Sequence, residues 1–402
     1  MKHLLRTLLL LLIRLIGLPG ASTAAREARK LPISQPRILL IRPDHLGDLV
    51  LTTPVLNALR ERIPDAHITM MVGPWSSEVV ARHPAIDKLI TCSFPGFQRA
   101  PQKPLAPYTL LLSIAKQLRR GHYDLALNLR PDFWWGAALL YLARIPRRIG
   151  YAIQPGAPFL TQALPFPPAE LATVSCLRLA DVGLQALGYP SLAQPYTPER
   201  YPLQFIPTAD ERAWIGKKLT AAGIAAQTPV VVIHPGTGAA VKLWRSEAWA
   251  HIADTLTASL AFPTSAQIIL TGSKHERALL EEIAQQMTTA PLLLSDLTVG
   301  QLAALLERAK LVLGVDSGPL HLAIAQDTPT LQIFGPTDAH IFGPWGNPDR
   351  HIVIASTHRC PTCPAIPCGR LDFRPEELPA HPCVKLVTEQ EVMQGIEKMK
   401  RN

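Results

Sequence analysis

The 402-residue chain is sparing with charge and with aromatic side chains: Asp, Glu, Lys and Arg make up 18% of it, and Phe, Trp and Tyr 6%. With hydrophobic residues at 48%, that composition excludes a disordered chain, and the length suffices for two domains, each with a core of its own. No Walker phosphate loop and no GxGxxG run occurs, so the usual signatures of ATP hydrolysis and dinucleotide binding are missing. There is also no Asp-x-Asp pair to hold a metal against a diphosphate, and no solenoid-type repeat. Basic residues are not interleaved with aromatics, which argues against nucleic acid as a partner. The formal charge of +9 is concentrated at one end. Residues 1–30 carry Lys2, Arg6, Arg14, Arg26, Arg29 and Lys30 against Glu27, a net +5 that leaves +4 for the rest.

Long uninterrupted apolar runs are lacking too. The leucine-rich stretch in residues 1–20 is broken by Arg6 and Arg14, and each unbroken piece is too short to span a bilayer. A basic, apolar leader of this kind predicts a helix lying in the plane of a membrane surface. Small residues at 21–25 make a secretory signal the rival reading, which Arg14 within the apolar part weakens. Cysteine is scarce, six in all, yet Cys360, Cys363, Cys368 and Cys383 fall in one proline-rich region. That spacing can fold a loop around a structural zinc; free thiols and a disulfide are the alternatives.

What the chain has instead is strands that break into glycine turns before helices. Ile38 to Ile41 form a continuous apolar run, as in a parallel strand covered on both faces, and Gly47 and Asp48 follow. Thr53 and Pro54 read as the N-cap and first residue of the next helix. Asp48 is thereby expected at the carboxyl edge of a sheet, where open α/β folds bind ligands, or else as a simple turn cap. The same pattern recurs at 230–238, with Gly236, Thr237 and Gly238 ahead of Lys242, and at 311–323, with Asp316, Ser317, Gly318, Pro319 and His321. A helix start with free backbone N–H groups and a nearby cation suits a phosphate.

The alternation predicts strands at 68–73, 89–92, 123–130, 230–234, 267–272, 292–295, 311–315 and 330–334. Helices are expected near 77–82, 108–119, 134–143, 173–187, 247–260, 275–287 and 298–309, the last opened by a Thr298/Gln301 capping box. This is an α/β chain of two doubly wound Rossmann-like domains facing a central cleft, with an interdomain linker in the proline-rich passage 190–207.

In order and over most of the span 37–345, these segments resemble glycosyltransferase family 9, the ADP-heptose:lipopolysaccharide heptosyltransferases. The likeness is carried by the strand running into Asp44, Gly47 and Asp48, by His234, Gly236, Lys242 and Trp244, and by Asp316 to His321. It implies a two-domain GT-B fold and metal-independent, inverting transfer of a heptose from a nucleotide donor, with no cofactor needed for catalysis. It also implies residues 35–200 as acceptor domain, 208–358 as donor domain, and 359–402 as a Cys-rich loop with a C-terminal helix. By the same likeness Asp48 is the base, with Asp44 a helper or a loop brace. Thr237, Gly238, Lys242, Ser317, Gly318 and His321 contact the donor phosphates, Asp316 fixes the loop or orients the sugar, and Glu276 approaches the ribose. The implied partners are a nucleotide-sugar donor, a glycolipid or glycan acceptor and the cytoplasmic face of the inner membrane, where a cytosolic donor is accessible. Arg99, Lys103, Arg130, Arg144, Arg147 and Arg148 can bind an anionic glycolipid core or be plain surface charge, and Trp134 and Trp135 read as core or membrane-facing. The alternatives are a nucleotide-sugar epimerase or hydrolase of the same architecture, and a non-catalytic envelope sugar-binding protein.

Overall fold

The computed structural model describes residues 2–97, 105–258 and 266–401. The chain divides between Thr197 and Pro198 into two compact units. The first comprises α1 (Lys2–Arg26), β1 (Arg37–Arg42), α2 (Leu46–Arg62), β2 (His67–Val72), β3 (Lys88–Thr91), α3 (Ala106–Arg119), β4 (Leu125–Asn128), α4 (Trp134–Leu142), β5 (Arg147–Tyr151), β6 (Gln162–Leu164) and α5 (Ala172–Ala186). The second comprises α6 (Ala209–Ala221), β7 (Val230–His234), α7 (Ser246–Ala258), β8 (Gln267–Gly272), α8 (Arg277–Gln286), β9 (Leu292–Ser295), α9 (Val299–Arg308), β10 (Leu311–Val315), α10 (Gly318–Ala325), β11 (Thr330–Phe334), α11 (Ala339–Phe342), β12 (His351–Ala355) and α12 (Glu389–Arg401).

Each unit holds one parallel sheet. Its strand order is β3-β2-β1-β4-β5-β6 in the first and β9-β8-β7-β10-β11-β12 in the second, the same doubly wound order twice. Residues 38–41 and 230–233 are wholly buried because helices cover both faces, which is why these strands read as unbroken apolar runs. The order reverses between β1 and β4, and again between β7 and β10. At the second reversal Gly314 pairs with His234, and a Cβ on Gly314 would stand 2.6 Å from the His234 carbonyl oxygen. The two central strands end side by side there because position 314 has no side chain.

Several expectations need correction. The helix placed after Thr53 and Pro54 begins at Leu46, so Asp48 lies in its first turn and Pro54 lies inside it. Pro54 has no N–H for the Val50 carbonyl, and the Thr53 hydroxyl donates to that carbonyl at 2.7 Å instead. Thr53 is therefore the repair for Pro54 rather than a cap. The stretch near 77–82 is one 3-10 turn, Ser77–Val79, and 275–287 opens as another, Lys274–Glu276, before α8. Strands β5, β6 and β12 were not expected. β6 is a three-residue edge strand, β5 opens with two arginines, and β12 is an edge strand whose burial falls off toward its end, so none is a fully buried apolar strand. The Thr298/Gln301 capping box is formed. Arg99 and Lys103 lie outside the described residues.

The leader is a helix packed along α4. Leu10 is buried, the Tyr141 hydroxyl donates to the Arg14 carbonyl at 2.7 Å, and Gly17 and Gly20 lie against Tyr141 and Arg144. The opposite stripe, Leu8, Leu11, Leu12, Leu15, Ile16 and Leu18, is exposed. Residues Arg6–Arg26 are long and apolar enough to cross a membrane, which the two interrupting arginines had argued against.

Replacing Thr53 with Ala leaves the buried Val50 carbonyl without that donor. The first unit should lose about 1–3 kcal/mol, measured as an earlier urea transition of unit-1 signals with α-helical content retained.

Candidate active site

In the first unit β1 ends on Arg42, whose buried guanidinium organises the crevice. Its Nε lies 2.7 Å from Asp44 Oδ2 and its NH2 3.2 Å from Asp48 Oδ1, while NH1 donates to the Leu129 carbonyl at 2.6 Å. Although burial opposes its charge, Asp44, Cys176 and Asp48 hold Arg42 more firmly protonated than an ordinary arginine. Asp44 is also paired with Arg130, which arrives from the loop after β4 on the other side of the strand-order reversal. Backbone atoms of Asp44 take part as well: its carbonyl accepts from Trp75 Nε1 at 3.0 Å and Ser76 Oγ at 2.9 Å. Enclosed by two guanidiniums, the Asp44 carboxylate is a brace for the loop.

Asp48 differs in both respects. It meets Arg42 through one oxygen, and its side chain is 27% exposed. Desolvation and the nearby Asp44 charge push its pKa above the usual aspartate value, which Arg42 and Arg130 offset only in part. The accessible carboxylate thus holds a proton more readily than an ordinary aspartate.

In the second unit the loops after β7 and β10 meet at the second reversal. Lys242 Nζ donates to the Asp316 carbonyl at 2.8 Å and to its Oδ2 at 3.1 Å, and Thr337 Oγ1 donates to the same carboxylate oxygen at 2.6 Å. Thr237 Oγ1 is 3.4 Å from the Asp316 carbonyl. Asp316 is accordingly the hub that ties three loops together. Because Lys242 and Asp316 cancel in formal charge, attraction for an anion here rests on N–H donors and on the remaining Lys242 proton.

Those donors are present. Ser317 precedes α10 without capping it, Gly318 is the first helical residue, and Pro319 contributes no N–H. The buried Ser317 Oγ and His321 Nδ1 have no hydrogen-bond partner among the described residues. Buried polar atoms left open at a helix start are the mark of a site waiting for a ligand. Burial pushes the His321 pKa down to about 4, with Lys242 assisting and Asp316 opposing, so the imidazole is neutral at pH 7. Gly238 faces open space. Glu276 caps its own turn through the Ser273 N–H at 2.7 Å, and its carboxylate covers Gly236, which places it beside the Thr237 loop.

A family model described as glycosyltransferase family 9 (heptosyltransferase) matches residues 111–368. Lipopolysaccharide heptosyltransferase 3 of Escherichia coli is 30% identical over 307 residues, which cover 75% of this chain and 84% of that protein. The chain belongs to glycosyltransferase family 9. Among solved structures, a family 9 glycosyl transferase from Veillonella parvula superposes with a TM-score of 0.73 at 21% identity, covering 93% of this chain and 99% of its own. The E. coli heptosyltransferase WaaC with ADP superposes with a TM-score of 0.64 at 19% identity, covering 90% and 99%. The fold is accordingly of the GT-B type, with two Rossmann-like units, and this family 9 member is a glycosyltransferase. The family match begins beyond β1 and α2, so it does not itself reach Asp48.

Around this transferase core the other expected residues separate clearly. Arg130 is held by Asp44 and Asp132 and lies over the Phe97 ring; Arg148 is buried against the Phe159 carbonyl, and Arg147 donates to the Arg29 carbonyl. Arg144 packs against the leader at Gly20. These four arginines are built into the first unit. Trp135 is core, with Nε1 donating to the Pro107 carbonyl at 2.8 Å, and Trp134 is half-buried against Tyr108. The cysteine region forms a cluster able to hold a metal ion, but its closest set is Cys360, Cys363 and His381. His381, Thr337 and the bracing role of Arg42 escaped sequence reasoning. His381 sits two positions before Cys383 and could have been found from that spacing; Thr337 and Arg42 reach their partners only through the fold.

His321 should remain neutral far into acid. Ring resonances followed by NMR during a pH titration are expected to move with a midpoint near 4 rather than 6.5.

Proposed function

We propose that this protein is an inverting, metal-independent heptosyltransferase that moves a heptose from ADP-heptose to a hydroxyl of a lipopolysaccharide core or another cell-envelope glycan. The observation that carries the reading is the division of labour at the two reversals: one accessible carboxylate of raised proton affinity in the first unit, and the unpartnered Ser317 Oγ and His321 Nδ1 beside a lysine in the second. The solved WaaC structure with ADP and the E. coli relative named for lipopolysaccharide heptose transfer support that donor and that acceptor class.

The first unit would then receive the acceptor and the second the donor. Asp48 accepts the proton of the attacking hydroxyl as its oxygen bonds to the anomeric carbon, on the face opposite the diphosphate. The bond from that carbon to the phosphate oxygen breaks, and ADP leaves with the electron pair, so configuration inverts. Lys242, Thr237, Gly238, Ser317, Gly318 and the neutral His321 offset the charge that gathers on the leaving diphosphate, with Asp316 holding Lys242 in place. Glu276, next to Gly236, is the group for a ribose hydroxyl. A zinc ion in the cysteine cluster would be structural.

For localisation, the packing of α1 on α4 supports an in-plane helix rather than a span or a cleaved signal. Its outer leucine stripe would enter the lipid interface of the cytoplasmic leaflet, and the net +5 of residues 1–30 would draw it to anionic headgroups.

Asp48→Asn should lower transfer by about 10²–10⁴-fold while ADP affinity stays at the wild-type value. Retention of normal transfer would remove Asp48 as the base. Because its pKa is raised, the acid limb of kcat/KM should lie above the range of an ordinary aspartate, activity falling as pH drops through it. Lys242→Ala should weaken ADP binding by roughly tenfold or more, as expected for a lost charge-assisted contact. In magnesium-free calorimetry ADP should bind in preference to UDP, GDP and TDP; turnover of the donor without any acceptor would favour an epimerase or hydrolase. Deleting residues 1–30 should abolish co-flotation with anionic vesicles.

A further inference from the structure

The cysteine-rich segment gathers four thiols and an imidazole without forming a disulfide. Donor atoms of Cys360, Cys363 and His381 lie within 4.8 Å of one another, and all three residues are buried. Cys363 Sγ stands 3.3 Å from His381 Nδ1. Cys368 lies near Cys363 and Cys383 near Cys360, both just outside that closest set. Ligands about 2.0–2.3 Å from a tetrahedral zinc are roughly 3.3–3.8 Å apart, so a slight contraction brings this group to binding geometry. A cavity of about 470 Å³, bordered by Cys363, Cys368 and His381, gives an ion access.

The same segment also holds the loops of the Lys242–Asp316 pair. Cys383 and Val384 lie against Gly335, where a Cβ would come within 2.3 Å of the Val384 side chain. The Gly369 N–H, one residue beyond Cys368, donates to the Pro336 carbonyl at 2.7 Å. The next residue, Thr337, is the one that grips Asp316. On the opposite side, the carbonyls of Lys385 and Val387 accept from Arg245 Nε at 3.0 Å and Trp244 Nε1 at 2.9 Å, directly downstream of Lys242. Ser356 Oγ closes the arrangement by donating to the Cys383 carbonyl at 2.7 Å. Both partners of the pair are thus supported from residues within four positions of Cys368 or Cys383.

We propose that Cys360, Cys363, His381 and Cys383 hold one zinc ion, and that this metal-tied segment is the buttress that spaces Lys242 and Asp316 for the donor diphosphate. The second half rests on the donor-site reading given above. Zinc takes three thiolates and a neutral imidazole, releasing the thiol protons to solvent. Cys368, partly exposed at the cavity, borders the site without ligating.

Elemental analysis of the purified full-length protein should find one zinc per chain, retained by Cys368→Ser and lost from Cys360→Ser and Cys383→Ser. Stripping zinc from the wild-type protein with a mercurial reagent and chelator should raise the Kd for ADP at least tenfold, with thiol regeneration and added Zn²⁺ restoring it. Because that comparison uses one reversible preparation, it stands even if a cysteine variant does not fold. Stripped protein that binds ADP as tightly as the zinc form overturns the buttress while leaving the donor site intact. A chain that takes up no zinc on reconstitution overturns the metal site. Stoichiometric zinc with no ADP binding in either form overturns the donor-site reading, and the buttress with it.

Discussion

Everything functional in this chain depends on a constraint of parallel sheets. Two neighbouring central strands send their following segments to opposite faces, and the crevice left at their carboxyl ends cannot be filled by either helix. The chain meets this constraint twice, at β1 with β4 and at β7 with β10. In each case the loop after the earlier strand supplies one charged group and the loop after the later strand supplies its counter-charge: Asp44 with Arg130 in the first unit, Lys242 with Asp316 in the second. The sheet order, rather than sequence proximity, makes these partners.

The two crevices treat buried charge in the same way. Charges that hold loops are flanked on two sides, as Asp44 is by the guanidiniums of Arg42 and Arg130 and as Asp316 is by Lys242 and Thr337. Groups left for chemistry are the incompletely paired ones: Asp48, with one oxygen toward Arg42, and Ser317 and His321, whose buried polar atoms lack partners. An isolated buried charge would be costly, so in the proposed mechanism the chemistry falls to a partly exposed carboxylate and a neutral imidazole.

Much of this was legible in the chain, because parallel strands covered on both faces announce themselves as apolar runs; β7, β8, β9, β10 and β11 fall where those runs predict. The edge strands β3 and β9 were legible as well, whereas β5, with its two leading arginines, the three-residue β6 and the partly exposed edge strand β12 were not. Proline misled the reading at Pro54: the signal for a helix start is genuine chemistry, but a neighbouring threonine can supply what proline removes. Asp48, Lys242, Asp316 and His321 could be located from their turns, whereas Arg42 could not be seen as the residue distinguishing Asp44 from Asp48. That distinction depends also on Arg130, whose guanidinium arrives from the loop after β4, 86 residues beyond Asp44.

The close seating of α1 against α4, set by Gly17, Gly20 and Tyr141, has a geometric consequence. A flexible tether would let the body tumble beneath its anchor; a helix cemented along its length fixes the body's attitude to whatever surface its leucines meet. On the membrane-surface reading proposed above, encounter with a lipid-borne acceptor would become lateral diffusion in a plane with orientation already chosen, removing one translational and two rotational searches from each catalytic meeting.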